Sequence, residues 1–127
     1  MANRFEKHYS RDEARALLPQ IRIWLKLLNE RRVMVEKLDK RLSHLVHAGQ
    51  DTGGDTVNQL IRNLAAMKEL LQEFERREIQ IKDIERGLID FPALLAGREI
   101  FLCWEQDETD IEFWHDLDAG FSGRERL

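Results

Sequence analysis

The stretch SRDEARALLPQIRIWLKLLNERRVMVEKLDKRLSHLVH, residues 10–47, decides the fold. It opens on Ser10-Arg11-Asp12-Glu13, which has the form of a capping box. The serine hydroxyl accepts from the amide three residues on, and Glu13 reaches back to the Ser10 amide. A heptad then runs through it, with Ala14, Ile21, Leu28, Val35 and Leu42 at a and Leu17, Trp24, Arg31, Leu38 and Leu45 at d. Leu18 and Leu25 widen the stripe at e. Only Arg31 interrupts the seam, so the pattern predicts a helix with one buried face. Pro19 removes a backbone donor and biases Leu18 away from helical geometry, which predicts a kink or short break there. From Pro19 to His47 the helix would be about 43 Å long at 1.5 Å per residue.

Gly49 to Asp55 carries three glycines and reads as a turn, with Asp55 or Thr56 as the next cap. A second stripe follows, with Val57, Leu64, Leu71 and Glu78 at a, Leu60, Met67, Phe74 and Ile81 at d, and Ile61 at e. The two stripes suit an antiparallel helical hairpin over 10–78. A compact globule of this length is roughly 36 Å across, so a helix this long makes the molecule elongated. Two helices cannot cover both stripes. Pairing two hairpins into a four-helix, coiled-coil-like arrangement is the usual solution, and we expect a homodimer. Arg31 either pairs with an acid on a facing helix and sets register, or snorkels to water.

After residue 78 the period changes. Ile79-Gln80-Ile81-Lys82 alternates like a half-buried strand. Arg86-Gly87 marks a turn, Leu88 to Phe91 is a second extended piece closed by Pro92, and Ala93 to Gly97 reads as a short turn or one helical turn. Glu99 to Glu105 is the best strand in the chain, and Ile111 to His115 returns across a five-residue loop. The tail from Asp116 reads as ordered loop. The expected class is α+β: one domain, 1–127, with a small antiparallel sheet and C-terminal loop over 79–127.

Composition narrows the function classes. The chain has 127 residues, enough to bury a core without a metal or disulfide to fold it. Its single cysteine, Cys103, excludes an intrachain disulfide and suits a reducing compartment. Charges interrupt every apolar stretch, which excludes a membrane helix, and the N-terminus lacks a signal-peptide core. A cytoplasmic protein without a membrane partner is expected. Residues 1–82 hold 16 Lys+Arg against 12 Asp+Glu, net +4, and residues 83–127 hold 4 against 12, net −8. The asymmetry fits either a salt-bridged helical part joined to a solvated acidic one, or complementarity between subunits. Nucleic acid is not an expected partner. The basic residues of helix 1 are interleaved with acids, lack an aromatic platform, and sit in a chain of pI about 5.6.

The polar cluster at the end of the sheet is the candidate site: Asp83, Glu85, Asp90, Glu112, His115, Asp116, Asp118 and Arg124. His115 and Asp118 offer nitrogen and oxygen donors suited to a divalent metal, the one candidate cofactor, with Asp83 or Asp90 as a third ligand. Asp90, Glu112, Trp114, Asp116 and Arg124 would line a small-ligand site, Trp114 because it adjoins His115. The spacing matches no metal signature. The structural alternative has His115 bonding Asp118 or a backbone carbonyl while Arg124 pins the tail to a carboxylate, and such clusters are more often of that kind. If the last hairpin is symmetric about its loop, Cys103 faces Phe113 and His115 faces Phe101. Cys103 and His115 are then diagonal neighbours about 7–8 Å apart, too far for a nucleophile and its base. Cys103 reads as a buried small hydrophobe. His44 and His47, one turn apart, suit the helix C-terminus better than a metal. No catalytic residue is assigned.

Two runs carry a recognisable pattern. One is Lys82-Asp83-Ile84-Glu85-Arg86-Gly87-Leu88-Ile89-Asp90-Phe91-Pro92-Ala93. The other is Phe101-Leu102-Cys103-Trp104 followed by Phe113-Trp114-His115-Asp116-Leu117-Asp118-Ala119-Gly120-Phe121-Ser122-Gly123-Arg124. With the Ser10 to Pro19 stretch they resemble the bacterial DUF2203 family over essentially the whole chain. The resemblance implies a small bacterial cytoplasmic protein and supplies no site residues. The functional expectation is therefore a non-catalytic homodimeric assembly protein. The alternative is a metal- or small-ligand-binding protein, or a hydrolase, built on His115, Asp118 and nearby carboxylates.

Overall fold

The computed structural model describes residues 2–49 and 54–127; Gln50 to Gly53, within the expected turn, lie outside the described residues. Helix α1 spans Arg11–His47 and α2 spans Asp55–Arg76. Five strands follow: β1 Gln80–Asp83, β2 Leu88–Leu95, β3 Arg98–Glu105, β4 Phe113–Asp116 and β5 Glu125–Arg126. They form an antiparallel meander in chain order. The architecture is α+β, a helical hairpin followed by a sheet.

The capping box at Ser10 is formed in both directions, at 3.1 Å to Glu13 N and 3.0 Å from Ser10 N to the Glu13 carboxylate. Pro19 does not break α1, which runs through it for 37 residues, about 55 Å. Both Pro19 and Arg15, whose carbonyl loses its donor, are on the solvent side, where water replaces the missing bond. The predicted seam of α1 turns inward: Ala14, Leu18, Ile21, Leu25, Leu28 and Leu38 are buried. At the start of α2 the cap is Gly54, without a side-chain bond, rather than Asp55 or Thr56. Asp55 instead accepts from Gln59.

α2 is rotated from the expected stripe. Thr56, Asn63 and Phe74 are its buried residues, and Met67 and Leu70 pack against the core. Ile61, Leu64 and Leu71 remain 58%, 48% and 37% exposed. Arg31 donates to Asn63 Oδ1 at 3.1 Å, so its partner is a facing amide within the chain.

The core lies between the hairpin and one face of the sheet. Ile89, Phe91 and Ala93 of β2 and Ile100, Leu102 and Trp104 of β3 cluster with Ala14, Leu18, Ile21, Leu25, Leu28 and Phe74. Pro92 does not close β2, which continues to Leu95 opposite Arg98. The Pro92 carbonyl accepts from Tyr9 N at 2.7 Å, so its bonding side points away from β3, beyond the end of β1, where no strand needs the missing N–H. Ala96 and Gly97 then form a two-residue hairpin turn with φ of 52° and 78°, the left-handed pair of a type I′ turn. The β3–β4 register matches the symmetric expectation, with Phe101 opposite His115 and Cys103 opposite Phe113. The loop between them is longer than expected, and the tail is not all loop, because Glu125–Arg126 pairs with β4.

The charge asymmetry is used within the chain. Arg15 meets Asp110 at 2.8 Å and Arg11 meets it at 3.4 Å. Arg22 donates to the carbonyls of Gln106 and Glu108. Among the described residues no helix is long and apolar enough to cross a membrane.

Candidate functional site

Side chains alternate across a strand, so the residues between the core positions of β2 and β3 point to the other face. There Asp90 lies directly opposite Cys103, and His115 stands on β4 opposite Phe101, two residues along β3 from Cys103. Asp90 and His115 reach toward each other over β3. Their Oδ2 and Nε2 atoms are 3.0 Å apart, and each side chain is 2% exposed. The other imidazole nitrogen, Nδ1, lies 2.7 Å from the Asp116 carbonyl. The Phe101 ring packs against the imidazole at 5.5 Å.

The thiol of Cys103 completes the group. Donor atoms of Asp90, Cys103 and His115 all lie within 4.8 Å of one another. Burial, and then the Asp90 charge, push the thiol up to about 12. Asp90 Oδ1 is buried without a nitrogen or hydroxyl donor among the described residues, and the neighbouring Cys103 thiol offers the carboxylate only a weak hydrogen bond. A buried carboxylate oxygen left this way is costly, so it marks a place where something else is bound or the fold is strained.

Above this floor is a cavity of about 260 Å³, roofed by Leu117 to Phe121 and walled by Lys82 and Leu88. Lys82 is the extra residue of a bulge in β1, between Ile81 opposite Ile89 and Asp83 opposite Leu88. Bulges commonly re-aim a side chain in this way. The roof is pinned by Arg124. Its Nη2 donates to both Glu108 oxygens at 2.7 and 2.9 Å and to the Cys103 carbonyl at 3.3 Å. Its guanidinium lies 4.0 Å from the Phe113 ring centre and 4.6 Å from that of Phe121.

The expected site residues therefore divide. Asp90 and His115 form the floor, and Asp118 lines the cavity with its side chain 90% exposed, 3.3 Å from Arg4. Asp83 lies elsewhere, binding the Arg86 amide beside an open groove that it shares with Glu85 and Arg32. Trp114 faces the core side, with Arg98 over its ring. Asp116 pairs with Arg98 at 3.2 Å and contributes its carbonyl to His115. Glu112 lies 3.8 Å from Arg126, and Arg124 braces the roof. Sequence reasoning missed Lys82 and gave Cys103 no part in the cluster. The Cys103–His115 diagonal was readable. The Asp90–Cys103 pairing was not, because it depends on the turn at Ala96-Gly97.

The family model for DUF2203, an uncharacterized conserved protein, matches residues 7–127, and the chain belongs to that family. No curated protein and no solved structure matches it.

Proposed function

We propose that this DUF2203 protein binds a small polar ligand in the cavity on the outer face of its sheet. The observation that carries the reading is the buried Asp90–His115 pair, with an orphaned carboxylate oxygen, at the cavity floor. Convergent buried polar groups in a concave site with apolar walls are the usual signature of ligand binding. Leu88, Leu117, Ala119 and Phe121 supply apolar wall, and Lys82 and Asp118 supply charge at the rim. The volume suits a ligand of a few heavy atoms or an ion with its water.

The test is a thermal-shift screen of small organic acids, phosphates and divalent ions, run on the wild type and on Ala119→Phe, which fills the cavity. Ligands that raise Tm only in the wild type support the reading. A screen without such ligands overturns it and leaves the pair a structural device.

A second reading, homodimeric assembly through the hairpin, is favoured by a separate observation. Ile61, Leu64 and Leu71 line one side of α2 and are uncovered in the single chain. A second copy of the hairpin supplies a matching apolar stripe. Sedimentation of wild type beside Leu64→Lys tests it: a dimer that the variant splits supports assembly, and a monomeric wild type ends it.

A further inference from the structure

We propose that Asp90, Cys103 and His115 form a site for one thiophilic divalent transition-metal ion, of the zinc type, with a remaining coordination position open to the cavity. The inference rests on the reading of that cavity as the ligand site and names what it holds.

The geometry of His115 supplies the first argument. Its Nδ1 lies 2.7 Å from a backbone carbonyl, which can only accept, so Nδ1 carries the ring proton. The lone pair of Nε2 then faces Asp90 Oδ2 at 3.0 Å. Two acceptors at that distance need a positive centre between them, either a proton or a metal ion. Orientation of a ligating imidazole by a carbonyl on its other nitrogen is the common outer arrangement of metal-bound histidine.

The donor set supplies the second. Imidazole, thiolate and carboxylate together suit zinc, cobalt and similar ions, whereas magnesium and calcium prefer oxygen-rich shells. Donors around a tetrahedral zinc lie roughly 3–4 Å apart, given bonds of 2.0–2.3 Å. The three here are within 4.8 Å of one another, so small side-chain rotations suffice. Asp90 Oδ1, buried without a nitrogen or hydroxyl donor, gives the carboxylate a free oxygen on the same site.

Charge balance supplies the third. With a divalent ion bound, the Cys103 thiolate, the Asp90 carboxylate and the neutral His115 imidazole balance its two charges. The protons that the ion displaces leave to solvent, and no electron moves. The occupied site thus carries no uncompensated charge in a dry setting.

The decisive experiment titrates cobalt(II) into full-length wild type stripped with chelator and shown folded by circular dichroism. The expected result is one cobalt per chain, a thiolate-to-cobalt charge-transfer band, release of protons on binding, and displacement by zinc. Cys103→Ser should lose the band and the binding. Folded wild type that takes up neither ion overturns the proposal, and so does cobalt bound without the thiolate band. The cavity reading is separable from this result. An organic ligand that stabilises wild type but not Ala119→Phe, with no metal bound, leaves the cavity as a ligand site and removes the metal. Metal uptake that Cys103→Ser abolishes sustains both.

Discussion

On the helix-facing side of β2, Ile89, Phe91 and Ala93 are buried against the hairpin. On the opposite side of the same strand Leu88, Asp90 and Pro92 are buried too, the first two beneath the roof of the C-terminal tail. The first face is wholly apolar, and its burial is what the hydrophobic effect rewards. The second keeps a carboxylate and an imidazole out of water, at a cost of several kcal/mol per charged group that their mutual bond repays only in part. Two apolar side chains would close the second face more cheaply. One face makes the fold, while the chemistry of the other is unexplained by stability alone.

Substitutions sharpen the contrast. Trp104→Ala on the core face should cost about 3–5 kcal/mol, read as a fall in the urea midpoint, because its contacts cannot re-form around the void. Asp90→Ala should cost about 3 kcal/mol by leaving His115 buried and unpaired. The double change Asp90→Leu with His115→Leu should recover most of that loss, whereas no partner change rescues Trp104. A double variant as unstable as Asp90→Ala would break the distinction between the faces.

Alkaline pH gives a smaller effect, to which the outer face contributes through Cys103. Below about pH 9 the Cys103 thiol keeps its proton in both folded and unfolded chains. Between there and about 12 only the unfolded chain ionises, so stability falls as pH rises through that window. Cys103→Ala should flatten the decline in urea midpoint between pH 8 and pH 10; an unchanged slope would place its origin elsewhere. The smallest effect is a gain. Ala96→Asn at a φ of 52° gives the turn its preferred Asn-Gly pair and should add about 0.4–1 kcal/mol, measured by thermal unfolding.

Much of the first helix was legible because its information is local. The capping box and the heptad were readable from spacing, whereas the partner of Arg31, the Asn63 amide rather than an acid or water, was not. The β3–β4 register was likewise fixed by the symmetry of one loop. α2 was misread because its apolar a and e positions, Ile61, Leu64 and Leu71, point outward, while Thr56 and Asn63 are buried. The face chosen depends on α1, where Arg31 donates to Asn63, and no periodicity within α2 records that. At the candidate site, His115 and Asp90 were suspected from their chemistry. Bringing them together required a left-handed alanine at the β2–β3 turn, and aiming Lys82 at the same cavity required a bulge in β1, neither of which residue type announces.

The way the meander stops bears on how the protein behaves at high concentration. At one boundary β5 has two residues, Glu125 and Arg126, both charged. At the other, β1 has four residues and is distorted at Lys82, and past its end the Tyr9 amide occupies the Pro92 carbonyl. Short, charged and irregular borders deny an incoming strand a continuous ladder to extend, which is how natural sheets resist fibrillar growth. The protein should therefore stay dispersed through cycles of concentration that would drive a flat-bordered sheet of this size into fibres.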